Sequence, residues 1–262
     1  MTIEMCQRCV GSQGCDNEVV EECLPVPFFA DIIKPLLRVV TVGLNPALNE
    51  YYYDGVPKAR NQRLALLADY KINARAELRD VDVVDAKARR ARYFNASDRN
   101  WHPYFEKMES VINRVNPAWS YWMGSAIHLN LVACATKDRW SELAPETKSC
   151  LIGNCREHFL AALSRLPNGT LLLCDGPRVM QELQNPPLRM EQQPAELINI
   201  RETGGGDMGW IGKVVFDDKE FPFRGWSSQV SQLSAVWRFD LAFWLNETFT
   251  KSKSIVRPKN EH

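Results

Sequence analysis

The sequence predicts an α/β domain, a three-layer α/β/α arrangement around a central, mainly parallel sheet. Short apolar runs rich in β-branched residues alternate along the chain with longer stretches of helical periodicity, the pattern of strand-helix-strand crossovers. The length of 262 residues fits one substantial core, because single cores extend to roughly 250–300 residues before chains divide.

Residues 1–30 hold Cys6, Cys9, Cys15 and Cys23 with little apolar periodicity. They read as a loop-rich segment ahead of an α/β domain over residues 31–249. Leu37 to Val42 (LRVVTV) is a continuous apolar run suited to a strand buried on both faces. Helical patterns follow at Lys87 to Phe94 and Tyr104 to Val115. Ala126 to Val132 (AIHLNLV) reads as a second strand, and Cys150 to Leu166 as a helix. Thr170 to Cys174 (TLLLC) gives a third strand, from which Asp175-Gly176-Pro177 turns into a helix at Arg178. Glu196 to Ile200 and Trp210 to Phe216 are weaker strand candidates. Ser228 to Phe249 carries a 3.6-period stripe, with Ser227 or Ser228 as its N-cap, and residues 250–262 read as a disordered tail.

A composition of 45% hydrophobic and 24% charged residues excludes disordered and fibrous classes. No apolar run approaches the roughly 20 residues of a membrane helix, and MTIEMCQRCVGSQGC lacks a basic-then-apolar leader. A cytoplasmic monomer without membrane partners is therefore expected. The 32 basic and 32 acidic side chains cancel, so any affinity for nucleic acid must come from a local patch.

In open α/β sheets, ligands bind outside the carboxyl ends of the strands. That rule gathers the loops after Val42, Val132 and Cys174. In the first, Gly43-Leu44-Asn45-Pro46 joins a permissive backbone position to a stiffened segment carrying an amide. A tight strand-to-helix turn accounts for the same four residues. In the second, Asn130 stands between Leu129 and Leu131, where an amide needs partners or is costly. It is either a backbone-satisfied structural asparagine or an amide aimed into a pocket. A third segment, FPFRGWSSQVSQL (221–233), places Ser227 and Ser228 before the last helix, which suits either simple capping or a phosphate seat.

Together these segments resemble the uracil-DNA glycosylase superfamily. Gly43-Leu44-Asn45-Pro46-Ala47 is similar to its first motif, in the Gly-X-Asn-Pro form. Ile127 to Cys134 is similar to the strand whose asparagine reads the base, and Trp226-Ser227-Ser228-Gln229-Val230 falls where a His-Pro-Ser loop normally stands. The resemblance spans about residues 36–245.

It implies a DNA glycosylase that flips a pyrimidine nucleotide and hydrolyses its N-glycosidic bond, with DNA as partner and uracil as the default substrate. No amine nucleophile stands out, so lyase activity is not expected. Asn45 would hold the attacking water and Asn130 would read the pyrimidine edge, an amide that matches uracil in one orientation and cytosine in the other. Gly43 and Leu44 would border the base, one of Tyr51, Tyr52 and Tyr53 (Tyr53 foremost) would pack near pyrimidine C5, and Phe94 or Trp101 would stack on it. The family histidine has no counterpart in Gly225-Trp226-Ser227, so Ser227 or a backbone N–H would serve the leaving base. Ser228 and Gln229 would contact DNA, with Arg89 and Arg90 of a basic run and Lys137 and Arg139 beside the second motif as phosphate ligands. Two alternatives stay open: a glycosylase for a bulky modified cytosine of viral DNA, acting in antiviral defence, and a catalytically silent DNA-binding or damage-sensing protein of the same fold.

No cofactor is needed for the chemistry. The eight cysteines are not expected to form a disulfide framework. Cys6-X2-Cys9 with Cys134 and Cys150, or Cys155 as the fourth ligand, resembles the iron-sulfur spacing of a thermophilic branch of the family. A local zinc site from Cys6, Cys9, Cys15 and Cys23 is the other metal option, and plain burial the third.

Overall fold

The computed structural model describes residues 3–10, 12, 14–15, 18–30, 37–60, 63–95, 101–198 and 207–255. In chain order the strands are β1 (Phe28–Phe29), β2 (Val39–Gly43), β3 (Tyr52–Tyr53), β4 (Val56–Pro57), β5 (Ala126–Asn130), β6 (Leu171–Asp175), β7 (Arg189–Gln192), β8 (Glu196–Ile198), β9 (Asp207–Phe216) and β10 (Lys219–Trp226). The helices are α1 (Asp80–Ala91), α2 (Pro103–Val115), α3 (Pro145–Leu163), α4 (Pro177–Leu183) and α5 (Ala235–Ile255). This is an α/β fold.

One sheet runs in the order β1-β5-β2-β6-β10-β9-β7, with β8 also paired to β9. Its centre, β5-β2-β6-β10, is parallel, and the flanking pairs are antiparallel. Every residue of β2, β5 and β6 is buried, which explains why those strands read as continuous apolar runs. Their register puts Gly43 opposite Asn130 and Val42 opposite Cys174, so the first two motifs end side by side. Pairing continues beyond the strands, where Leu131 N donates to Gly43 O at 3.0 Å and Val132 N to Leu44 O at 2.7 Å.

Three expected boundaries move. The cysteine-rich segment is not separable at residue 30, because Phe28 and Phe29 pair with Leu129 and His128, and Val19 and Cys23 bridge to Thr136 and Leu66. Residues 219–226 form β10, parallel to β6, rather than a lead into the last helix. Helix α5 begins at Ala235, with the Ser234 hydroxyl accepting from Trp237 N at 3.3 Å, and runs to Ile255, into the stretch expected to be a tail. Residues 199–200 of the weak strand at 196–200, and 256–262 of that tail, lie outside the described residues. Among the described residues, no helix is long and apolar enough to cross a membrane.

Candidate functional site

Two amides stand where the central strands end, and each has its orientation imposed by a backbone carbonyl. Asn130 is buried, and its Nδ2 donates to Val26 O at 2.8 Å. A carbonyl can only accept, so the amide cannot be reversed without opposing two acceptors. Its Oδ1 is buried and makes no hydrogen bond of good geometry, the His128 imidazole being the donor beside it. A poorly served acceptor of this kind costs up to about 1–3 kcal/mol in the free protein.

Asn45 is half-buried, and its Nδ2 donates to Thr136 Oγ1 at 3.1 Å and to Pro46 O at 3.3 Å. The Thr136 hydroxyl donates its one proton to Asp138 O at 2.8 Å, so it can only accept from Asn45. Among the described residues Asn45 Oδ1 carries no hydrogen bond, and it forms the acceptor end of a fixed amide. Lys137 and Arg139 follow Thr136 directly and are exposed, so this pair remains available to phosphates.

Gly43 is explained from inside the protein rather than by a ligand. A Cβ there would lie 2.7 Å from His128 Cε1 and 2.8 Å from its Nε2. The His128 imidazole is buried on the same strand as Asn130, its Nδ1 2.8 Å from Thr41 Oγ1, which lies 2.5 Å from the Tyr121 hydroxyl. Burial drives the imidazole down to about 3, so it is neutral near pH 7. The glycine therefore admits a neutral histidine beneath the two loops. Leu44 is half-buried against the main core at the same strand end.

Several expected site residues are placed elsewhere. Ser227 donates its hydroxyl to Asp207 Oδ1 at 2.8 Å and its backbone N–H to Met208 O at 3.0 Å, which leaves it no donor for a departing base. Ser228 also bonds Asp207 Oδ1. With both hydroxyl protons donated to that carboxylate and α5 starting at Ala235, neither serine caps the last helix and neither hydroxyl has a proton left for a phosphate. Gln229 is half-buried with its Cγ against Gly176 in the loop after β6. Tyr53 is 72% exposed on the β3-β4 hairpin, whereas Tyr51 is fully buried and donates to Leu24 O at 2.6 Å. Phe94 is buried with one face stacked on Tyr121 at 4.6 Å, so that face is closed to a base. Trp101 stacks on Trp122 at 4.1 Å.

Arg89 and Arg90 are not phosphate ligands. Arg89 bridges Asp69 and Asp85 at 2.8 and 2.7 Å, and Arg90 pairs with Glu4 at 2.9 Å while lying 4.4 Å over the Phe28 ring. Both are buried inside ion pairs that link α1 to distant segments.

Two carboxyl groups near the strand ends went unread in the sequence. Glu50, in the turn after the first motif, is buried with Oε2 unpartnered, and burial pushes its carboxyl up to about 8 against the pull of Lys58 and the His102 backbone N–H. Asp175 closes β6 and accepts from Trp226 Nε1 and Val230 N, both at 2.9 Å, holding the loop after β10. Burial raises Asp175 to about 6. The available signal was an acid following an apolar strand, LLLCD, which reads equally well as an ordinary turn residue.

A second cluster is built from sulfur. The Sγ atoms of Cys9, Cys134 and Cys155 all lie within 4.8 Å of one another and are buried, with Cys9 and Cys155 3.7 Å apart. This trio could hold a metal. Hydrogen bonds from Cys155 and Cys9 hold the Cys134 thiol well below the usual range, and the Cys134 sulfur in turn pushes the other two up. Cys15 and Cys150 are instead joined by a disulfide, against expectation, which selects Cys155 over Cys150 for the cluster. Cys23 is buried, its backbone bridged to Leu66, and with Cys15 bonded to Cys150 the local set Cys6, Cys9, Cys15 and Cys23 is not assembled.

A scan of family models finds no match to this chain, and searches of curated proteins and of solved structures find none either.

Proposed function

We propose that this chain is a monofunctional DNA glycosylase, hydrolysing the N-glycosidic bond of a flipped pyrimidine nucleotide with uracil as default substrate. The observation that carries the reading is the pair of fixed amides: Asn45 and Asn130 stand at the ends of adjacent parallel strands, each with Nδ2 committed to the protein and Oδ1 left as an acceptor. The resemblance of Gly43 to Pro46 to the glycosylase superfamily's first motif supports it.

In this reading Asn45 Oδ1 accepts from a water and aims its oxygen at sugar C1′. The C1′–N bond breaks with its electron pair leaving on the base, the water oxygen bonds to C1′, and its proton is released. An amide has no useful basicity, so the acceleration comes from orientation and from stabilising the departing base. Asn130 Oδ1 accepts from the base, and uracil N3–H is the matching donor. The N4 amine of a modified cytosine also meets an acceptor, which keeps that substrate class as the second reading. Lys137 and Arg139 hold flanking phosphates.

The test is release of free base from oligonucleotides containing uracil or bulky C5-modified cytosines, read by mass spectrometry. Release that is lost in folded Asn45→Ala supports the enzyme. Release from modified cytosine alone moves the substrate to the second class. A wild-type protein that binds DNA and releases nothing overturns the catalytic reading and leaves the silent DNA-binding alternative.

For the sulfur cluster we infer a single tetrahedral ion such as Zn²⁺. Zn–S bonds of about 2.3 Å space tetrahedral sulfurs by about 3.8 Å, matching the Cys9–Cys155 separation of 3.7 Å. An iron-sulfur cluster binds each cysteine to a different iron and needs wider spacing. Cys9, Cys134 and Cys155 would hold the ion and tie the N-terminal segment to α3 and to the loop after β5.

A further inference from the structure

Arg75 is, among the described residues, the most completely buried arginine, and the glycosylase reading leaves it unused. Its side chain is fully buried, in the 3-10 turn before α1. Nη1 donates to Cys6 O at 3.1 Å and reaches Cys134 Sγ at 3.6 Å, while Nη2 donates to Cys23 O at 2.8 Å and Val20 O at 3.4 Å. Nε has no partner. Among the described residues, no carboxylate pairs with it. The other buried arginines near α1 are all matched, Arg63 and Arg89 to Asp69 and Arg90 to Glu4.

A guanidinium stays protonated in proteins, and a charge withdrawn from water without a counter-charge is costly. Sulfur is the one atom type at Arg75 that can carry that counter-charge. Conversely, three thiolates around a divalent ion leave a net negative charge in a buried site, which needs a cation close by. Each buried charge removes the cost of the other.

We propose that Arg75 is a positioning and charge-balancing residue of a thiolate metal centre at Cys9, Cys134 and Cys155, donating an N–H to the Cys134 sulfur while its other donors fix the backbone of Cys6 and Cys23. This rests on the single-ion reading above and goes beyond it, because it assigns a protein group outside the ligand shell that sets the site's affinity. The planar fork matters as well as the charge: one guanidinium reaches the sulfur and three carbonyls at once, which an ammonium cannot reproduce.

The test uses the full chain, reduced and stripped of metal, titrated with Co²⁺ and then competed with Zn²⁺. Wild type is expected to bind one equivalent with a thiolate-to-cobalt charge-transfer band. Arg75→Gln should bind 10- to 100-fold more weakly, the usual effect of removing a group that supports metal ligands, and Arg75→Lys should recover part of that loss. Circular dichroism of the metal-free forms separates weakened binding from unfolding. Folded Arg75→Gln with wild-type Co²⁺ affinity overturns the proposal and makes Arg75 a backbone staple. Wild type that takes up no Co²⁺ overturns the metal reading and this proposal with it. If both variants unfold, ¹¹³Cd-loaded wild type decides. Scalar coupling from the metal through sulfur to a guanidinium proton supports the contact, and its absence refutes it.

Discussion

Replacing Asn130 with alanine should separate function from stability. The substitution removes the 2.8 Å bond to Val26 O and leaves that carbonyl short of a partner, at about 1–3 kcal/mol. It also removes the buried Oδ1, which makes no hydrogen bond of good geometry beside the His128 imidazole, returning up to about 1–3 kcal/mol. The two changes nearly cancel, so stability should move by less than about 2 kcal/mol. Base release should respond differently, because the contact to the flipped base disappears. Loss of the contact that positions the base costs about 10²-fold in rate, or roughly 2.7 kcal/mol. Single-turnover release from a substrate oligonucleotide, paired with urea unfolding and a binding assay on undamaged DNA, measures all three quantities. The expected result is a large fall in release, a small change in stability and unchanged nonspecific affinity. A folded Asn130→Ala protein that releases base at the wild-type rate would refute the argument that the Oδ1 acceptor is held for the base.

Thr136→Val should free the Asn45 amide to rotate and lower the rate of base release about tenfold with substrate binding intact, as kcat and KM measured separately will show. Lys137→Ala with Arg139→Ala should weaken DNA binding and make the slope of log K against log salt shallower by up to about 1.8 on duplex, about 0.9 for each lost phosphate contact; an unchanged slope removes them from the interface. Glu50→Gln should flatten the pH dependence of stability. The folded carboxyl sits near 8, above its unfolded value, so its contribution is fully present below about pH 4.5 and is lost as pH rises through 8. Wild type should lose on the order of a few kcal/mol over that window in denaturant unfolding, and the variant should not. Arg90→Ala should cost about 3–5 kcal/mol by leaving Glu4 buried without its cation, and thermal unfolding at neutral pH checks this.

The parallel centre of the sheet was legible because β2, β5 and β6 are buried on both faces, and that environment writes continuous apolar runs into the sequence. Strand β10 was not, since Pro222 and Gly225 argue against a central strand. Their structural reasons are non-local: Pro222 sits opposite Lys213 in the ladder, and a Cβ on Gly225 would come within 2.2 Å of Met180 Sδ. Arg89 and Arg90 misled for the same kind of reason. A run of basic residues on a helix reads as a solvated face, and only the folded chain brings Asp69 and Glu4 to them.

Both asparagines were visible as out-of-place amides. Their orientations were not, because those depend on Val26 O and on the bond from Thr136 to Asp138, which no spacing rule contains. The serines of the third segment had a capping pattern at hand, yet Asp207, some twenty residues upstream, claims both hydroxyls.

The most direct measurement is mass-spectrometric detection of free base after incubating the chain with a panel of uracil- and modified-cytosine-containing oligonucleotides, wild type beside Asn45→Ala. The account predicts release of one pyrimidine class by wild type, leaving an abasic site, and none by the folded variant. Release that persists undiminished in Asn45→Ala, or no release from any substrate by a protein that binds them, would contradict it.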